Sequence, residues 1–134
     1  MTPHVGDTLP SLELPPLSRS TLALYAGGSG DHVPLHIDSA FAKQAGYPDV
    51  IMHGMLGCAY AARVLTGWAP QEAVRTISAR FTAITYPEEQ LTARGTVTEV
   101  GVDGVANRCR VMLDLFNQAG ERKLTGFAIV DYPS

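Results

Sequence analysis

The sequence has little of what typifies membrane, nucleic-acid-binding or secreted proteins. No apolar run approaches the roughly 18 residues that a membrane-spanning helix needs. The 10 basic residues are scattered and the net charge is −3, so no basic patch for nucleic acid is predicted. The first residues include neither a basic segment nor an apolar one, and we therefore expect no signal peptide.

Cysteine is also scarce. Cys58 and Cys109 are the only two, and they do not have the spacing of a metal site. Both lie in apolar patterns, which predicts reduced thiols in the core of a cytoplasmic protein. The chain has 134 residues, 46% of them hydrophobic, and is predicted to form one domain over residues 1–134 with its own core.

The first half of the chain predicts three helices. Ser18 can cap a short helix that ends at Gly27, and Asp38 can cap another over residues 39–45. The longest helix is predicted over residues 52–67 and is apolar on nearly every face. Such a helix is usually buried on all sides. The small residues near its start, Gly54 among them, leave room for a group to lie against it.

The second half predicts strands, because apolar and polar residues alternate with period two. These strands are expected at residues 76–83, 91–98, 108–115 and 123–132. Turn sequences at 101–104 and 117–120 favour an antiparallel meander with one covered face. With a short edge strand at 11–14, the pattern indicates an α+β fold in which an antiparallel sheet curls around one central helix.

The candidate catalytic groups lie in residues 29–38, Ser-Gly-Asp-His-Val-Pro-Leu-His-Ile-Asp. Asp31 and His36 are separated by Pro34, which would break a helix between them. We therefore expect an irregular loop that aims both side chains at one water, as general acid–base catalysis requires. On spacing alone, the pattern more often indicates a turn-forming aspartate and a hydrogen-bonded core histidine than a catalytic pair.

A second motif, His53-Gly54-Met55, opens the long helix. Backbone N–H groups at a helix start have no intrahelical acceptor and suit a developing negative charge. His53 itself is predicted to be a turn residue or a support for the catalytic groups. A metal site built from Asp31, His32 and His36 is not predicted, because no further ligand completes a set.

The two motifs and their spacing resemble those of the MaoC-like, (R)-specific enoyl-CoA hydratases, which have a hot-dog fold. The family pattern is approximately Ser-Gly-Asp-x-Asn-Pro-(Leu/Ile)-His-x-Asp, followed by (Val/Ile)-x-His-Gly-Met. Residues 29–38 and 50–55 match it, and the resemblance extends over residues 20–132. The chain departs from the pattern at Val33, where the family has an asparagine whose amide could brace the loop.

The resemblance implies hydration of a trans-2-enoyl thioester to the (R)-3-hydroxyacyl thioester, or the reverse dehydration. Asp31 and His36 would hold one water and move its protons. The backbone N–H of Gly54 would donate to the thioester oxygen as that oxygen becomes negative. Substrate contacts are predicted at Met55, Ala62 and Leu65, the last two limiting the depth of an acyl pocket along the helix.

The resemblance implies no metal and no redox cofactor, since coenzyme A or an acyl carrier arrives as part of the substrate. The predicted assembly is a homodimer whose sheets join edge to edge, or a hetero-oligomer with a second hot-dog chain. Two alternatives stay open: a subunit of a heteromeric dehydratase, and a catalytically silent acyl-CoA-binding protein, which Val33 favours. A thioesterase is disfavoured because residues 52–66 contain no Asp or Glu.

Overall fold

The computed structural model describes residues 2–133. Within that range the three α-helices are α1 (Arg19–Ser29), α2 (Ser39–Gln44) and α3 (Gly54–Thr66). The five strands of the same range are β1 (Leu12–Glu13), β2 (Val74–Phe81), β3 (Thr92–Val100), β4 (Arg108–Phe116) and β5 (Arg122–Asp131). None of the helices in residues 2–133 is long and apolar enough to cross a membrane.

The helix starts follow the predicted caps. The hydroxyl of Ser18 accepts a hydrogen bond from the backbone N–H of Thr21 at the start of α1. The carboxylate of Asp38 accepts from two backbone N–H groups in the first turn of α2. Both predicted N-caps are confirmed. Each carboxylate or hydroxyl satisfies donors that have no partner within the helix.

Two helix ends differ from the prediction. α1 does not stop at Gly27 but runs to Ser29, because a glycine inside a helix costs only about 1 kcal/mol. It ends where Gly30 takes the left-handed conformation and donates its N–H to the carbonyl of Ala26. α3 starts at Gly54 rather than residue 52, since His53 has extended backbone angles and acts as the N-cap.

The sheet is antiparallel, in the order β1-β3-β4-β5-β2. The predicted meander is confirmed for β3, β4 and β5, which are joined by short turns. It is wrong for β2, which pairs with β5 instead of β3. The connection through residues 82–91 is too long for a hairpin turn, and it carries the chain from one edge of the meander to the other.

The main core lies between α3 and the sheet, and α3 contacts all five strands. Ala61, Val64 and Leu65 of the helix belong to the same buried cluster as Val111 and Leu113 of β4. A sheet packed around one central helix is the predicted α+β, hot-dog arrangement, which the structure confirms. Both thiols are free as predicted: one is buried and the other half-buried against this core.

α3 is covered on one side only, which corrects the expectation of burial on all sides. Met55 is 60% exposed, and Ala59 and Arg63 also face outward. The physical reason is that a single sheet layer packs against a single face of the helix. The small cluster that joins α1 and α2 to the core covers a further part of the first half of α3, through Leu56 and Tyr60.

Candidate active site

A short irregular segment after α1 holds the first predicted residues. Residues 30–33 form a loop, and Pro34–His36 form one 3-10 turn with the proline at its first position. The N–H of Val33 donates to Asp31 Oδ1 at 3.3 Å, and the N–H of Asp31 donates to Ser29 Oγ at 3.2 Å. These local bonds fix the backbone on both sides of the aspartate.

The structure brings Asp31 and His36 together. Asp31 Oδ2 lies 3.9 Å from His36 Nε2, and the two side chains are 44% and 13% exposed, respectively. At this distance the groups do not hydrogen-bond directly. A single water oxygen can reach both at normal hydrogen-bond length, so the pair can act on one water.

The orientation of His36 is set by a backbone carbonyl. His36 Nδ1 lies 2.8 Å from the carbonyl oxygen of Ile51. A carbonyl oxygen only accepts, so the geometry assigns the proton to Nδ1 and leaves a lone pair on Nε2 of the neutral ring. The nitrogen that faces Asp31 is therefore the one able to take a proton.

His53 contacts both Asp31 and His36. Its ring is 1% exposed and stacks on the His36 ring, with centroids 3.8 Å apart and an interplanar angle of 21°. Its Nε2 lies 3.2 Å from the backbone carbonyl of Asp31 and donates to it. Burial is the largest influence and lowers the pKa of His53; the proximity of His36 acts in the same direction. His53 is thus a buried side chain that contacts both the loop and the His36 ring.

The arrangement does not fit a metal ion. Asp31, His36 and His53 place one potential ligand atom each within 4.8 Å of one another. This set has His53 in place of His32, which was the third residue considered from the sequence. A bound metal lies about 2.0–2.1 Å from each imidazole nitrogen and close to the plane of its ring. The stacked rings are nearly parallel, so their lone pairs do not converge on one point.

Gly54 provides the third element of the site. It is the first residue of α3, so its N–H has no acceptor inside the helix. A Cβ added to Gly54 would lie 3.2 Å from Phe81 Cε2, which shows how closely the Phe81 ring covers the helix start. A Cβ on Gly57 would lie 3.2 Å from Leu115 Cδ2 and from Met52 Cε. The two glycines keep open the space between the helix and the sheet.

That space is a cavity of about 190 Å³. Its walls are mainly apolar and come from the start of α3, the end of β2 and the sheet, including Ile51, Gly54, Gly57, Phe81, Leu115 and Leu124. Two of these residues connect it to the candidate catalytic groups: the carbonyl of Ile51 accepts from His36, and Gly54 carries the helix-start N–H. A wider hollow of about 560 Å³ borders none of the predicted site residues.

The predicted acyl-pocket residues lie apart from this cavity. Met55 is exposed on the helix surface, Ala62 is half-buried, and Leu65 is completely buried in the main core. Their contact with a substrate stays a prediction. Sequence reasoning did not select Phe81 as a cavity residue, because the pairing of β2 with β5 has no local sequence signal. The glycines at the start of the helix were such a signal, and they do border the cavity.

Comparisons with known proteins give matches to both the sequence and the fold. The family model described as "MaoC like domain" matches residues 5–112. The chain is 38% identical over 80 residues to peroxisomal enoyl-CoA hydratase 2 of Arabidopsis thaliana, covering 58% of this chain and 24% of that protein. It is 36% identical over 103 residues to 3-hydroxyacyl-thioester dehydratase Y of Mycobacterium tuberculosis, covering 74% and 36%. The chain thus spans a minor part of the length of these curated relatives.

A solved structure gives a fuller match. The unliganded R-hydratase PhaJ1 from Pseudomonas aeruginosa superimposes with a TM-score of 0.86 at 28% sequence identity. The match covers 98% of this chain and 83% of that one. The likeness therefore includes both the loop that carries the aspartate and histidine and the sheet that packs against the long helix.

Proposed function

We propose that this chain, which belongs to the MaoC-like domain family, adds water to trans-2-enoyl thioesters to give (R)-3-hydroxyacyl thioesters, or catalyses the reverse dehydration. The observation that supports it most is the placement of Asp31 Oδ2 3.9 Å from His36 Nε2, next to a helix start and an apolar cavity. The names of the relatives point to the same chemistry. The substrate and the roles of these residues are part of the proposal.

The proposed reaction needs one water and two proton transfers. Asp31 and His36 hold the water between them. One of the two takes a proton from the water as its oxygen bonds to C3, and the other delivers a proton to C2. The C2–C3 double bond becomes a single bond, and the pair has gained one proton and lost one. Because both groups lie on the same side of the substrate, addition occurs from one face.

Charge develops on the thioester oxygen when C3 is attacked. The N–H of Gly54 is placed to donate to that oxygen, with the positive end of the α3 dipole behind it. The thioester then lies at the mouth of the 190 Å³ cavity, since Gly54 borders both. The acyl tail enters the cavity, and coenzyme A or a carrier remains outside as part of the substrate.

The direct test is an assay of the purified chain with crotonyl-CoA and trans-2-hexenoyl-CoA, following the loss of enoyl absorbance and the configuration of the product. We expect hydration to the (R)-3-hydroxyacyl-CoA. An inactive chain that still binds acyl-CoA would instead favour the silent binding protein. Activity that appears only on mixing with a second hot-dog chain would favour the heteromeric dehydratase.

Val33 separates the active enzyme from the silent protein. Its side chain is 50% exposed, and its backbone N–H, which any residue but proline would keep, makes the bond to Asp31. Val33→Asn is therefore expected to change the hydration rate by about tenfold or less, since one hydrogen bond contributes roughly 0.5–1.5 kcal/mol net. Val33→Thr is the matched control, similar in shape but without the amide. An inactive wild type rescued strongly by Val33→Asn alone would contradict the proposal.

We also propose a homodimer formed edge to edge. β2 is the last strand of the sheet, pairs only with β5 within residues 2–133, and exposes apolar side chains such as Ile77. An exposed edge strand of this length needs a partner. Light scattering at micromolar concentration should give about twice the chain mass of 14.3 kDa.

Matched substitutions can test whether β2 forms the dimer interface. Ile77→Lys should shift the population toward monomer, because a charge on an edge strand opposes pairing. Leu24→Lys, at a side chain 77% exposed on α1, should leave the mass unchanged. A wild-type monomer would contradict the homodimer and direct the search to a second hot-dog chain.

A further inference from the structure

Lys123 has an unusual environment. The chain has two lysines; Lys43 is exposed on α2, whereas Lys123 at the start of β5 is only 3% exposed. A buried ammonium is costly unless it is paired. Here its Nζ lies 2.7 Å from the carbonyl oxygen of Ile84 and 2.9 Å from Glu89 Oε1, and it also donates to Glu121 Oε1.

These three acceptors use the whole donor capacity of the ammonium. A lysine has three N–H donors and no acceptor, so Lys123 has no donor left for a ligand. Lys123 nevertheless borders the 190 Å³ cavity. Because oxygen atoms hold the ammonium, the part of Lys123 that lines the cavity is its hydrocarbon stem.

The same residues divide two spaces. Ala83, Ile84 and Lys123 border the apolar cavity, and they also border an open hollow that contains Glu89 and Glu121. They therefore form a partition between the cavity and solvent. The hydrogen bond from Lys123 Nζ to the carbonyl of Ile84 holds this partition closed, because it ties Ile84 to β5, and the ion pairs with Glu89 and Glu121 fix the ammonium in place.

We propose that Ile84 and Lys123 form the end wall of the acyl site and set the longest chain that it accepts. The proposal rests on the proposed function, which places the acyl tail in this cavity. An apolar cavity of about 150 Å³ accommodates benzene, so 190 Å³ holds a hydrocarbon tail of about six carbons. With C1 to C3 outside at the catalytic groups, chains of up to about nine carbons fit, so octanoyl is the longest even-numbered chain that avoids the wall.

The wall also selects the kind of tail. The ammonium and the two carboxylates carry a net negative charge, so a tail ending in a carboxylate is repelled. A hydroxylated tail finds no free donor on Lys123. The site therefore favours an unsubstituted hydrocarbon chain.

Binding of saturated acyl-CoAs tests the wall without requiring turnover, because a saturated thioester cannot be hydrated. Isothermal titration would use butyryl-, hexanoyl-, octanoyl-, decanoyl- and dodecanoyl-CoA. In the wild type, affinity should rise by about fourfold per methylene up to octanoyl-CoA and then stop rising. Ile84→Ala and Lys123→Ala should each bind decanoyl-CoA at least tenfold more tightly than the wild type and butyryl-CoA about equally.

Lys43→Ala is the matched control, since it removes an exposed lysine, and it should bind like the wild type. Ile84→Ala decides the question if Lys123→Ala fails to fold, because Ile84 is 40% exposed and its substitution leaves the ion pairs in place. The proposed end wall would be contradicted if affinity keeps rising to dodecanoyl-CoA in the wild type. It would also be contradicted if Ile84→Ala leaves the dependence of affinity on chain length unchanged. If the chain shows the predicted dependence of affinity on chain length but hydrates no enoyl-CoA, the end wall is supported and the proposed function is overturned.

Discussion

Replacing Asp31 with asparagine is expected to lower the rate of enoyl-CoA hydration by at least a hundredfold. Asparagine has nearly the same shape, and its amide oxygen can still accept the N–H of Val33, so the loop should keep its conformation. It cannot exchange a proton with the water, and general acid–base groups contribute about 10²–10⁴-fold to rate. The measurement is kcat with trans-2-hexenoyl-CoA, together with the melting temperature.

Asp103→Asn is the matched control for Asp31→Asn. Asp103 has a side chain 79% exposed and a positive φ of 55°, a conformation that asparagine also tolerates. This variant should have wild-type activity and stability. Near-normal turnover in Asp31→Asn would end its catalytic assignment. A large fall in melting temperature would instead identify Asp31 as a turn-forming residue.

Local patterns were sufficient to predict most elements of the fold. The caps at Ser18 and Asp38 depend on a few neighbouring residues, and alternation located β3, β4 and β5 to within a few positions. β2 itself was predicted at residues 76–83, but its place in the sheet was not predictable in this way. Its pairing with β5 depends on packing between segments about 50 residues apart, for which period-two alternation has no signal.

The same distinction between local signals and tertiary contacts applies to the candidate site. The proline between Asp31 and His36 indicated a loop that could bring them together, and it did. The stacking of His53 on His36 joins residues 17 positions apart. The burial of Lys123 requires acceptors from a distant segment of the chain, the connection through residues 82–91. Only tertiary structure supplies such contacts, so sequence alone treated Lys123 as an ordinary strand residue.

The second large effect is expected at Gly54, where proline would remove the proposed oxyanion donor. Gly54 is the first residue of α3, a position that favours proline because its missing N–H has no helical acceptor. His53, with φ −58° and ψ 132°, already has the conformation that a residue before proline adopts. Gly54→Pro should therefore fold and lower kcat by about 10²–10³, as loss of one oxyanion donor does elsewhere.

The control for Gly54→Pro is Gly54→Ala, which keeps the N–H. Either substitution places a Cβ 3.2 Å from the Phe81 ring, and that ring is 51% exposed and free to shift. The alanine variant should therefore lose about tenfold at most, because an added methyl group beside an exposed ring costs near the lower end of roughly 1–3 kcal/mol. The ratio of the two rates then measures the contribution of the Gly54 N–H to catalysis. Equal losses in both variants would attribute the effect to the crowded ring, and full activity in Gly54→Pro would remove the helix-start N–H from the mechanism.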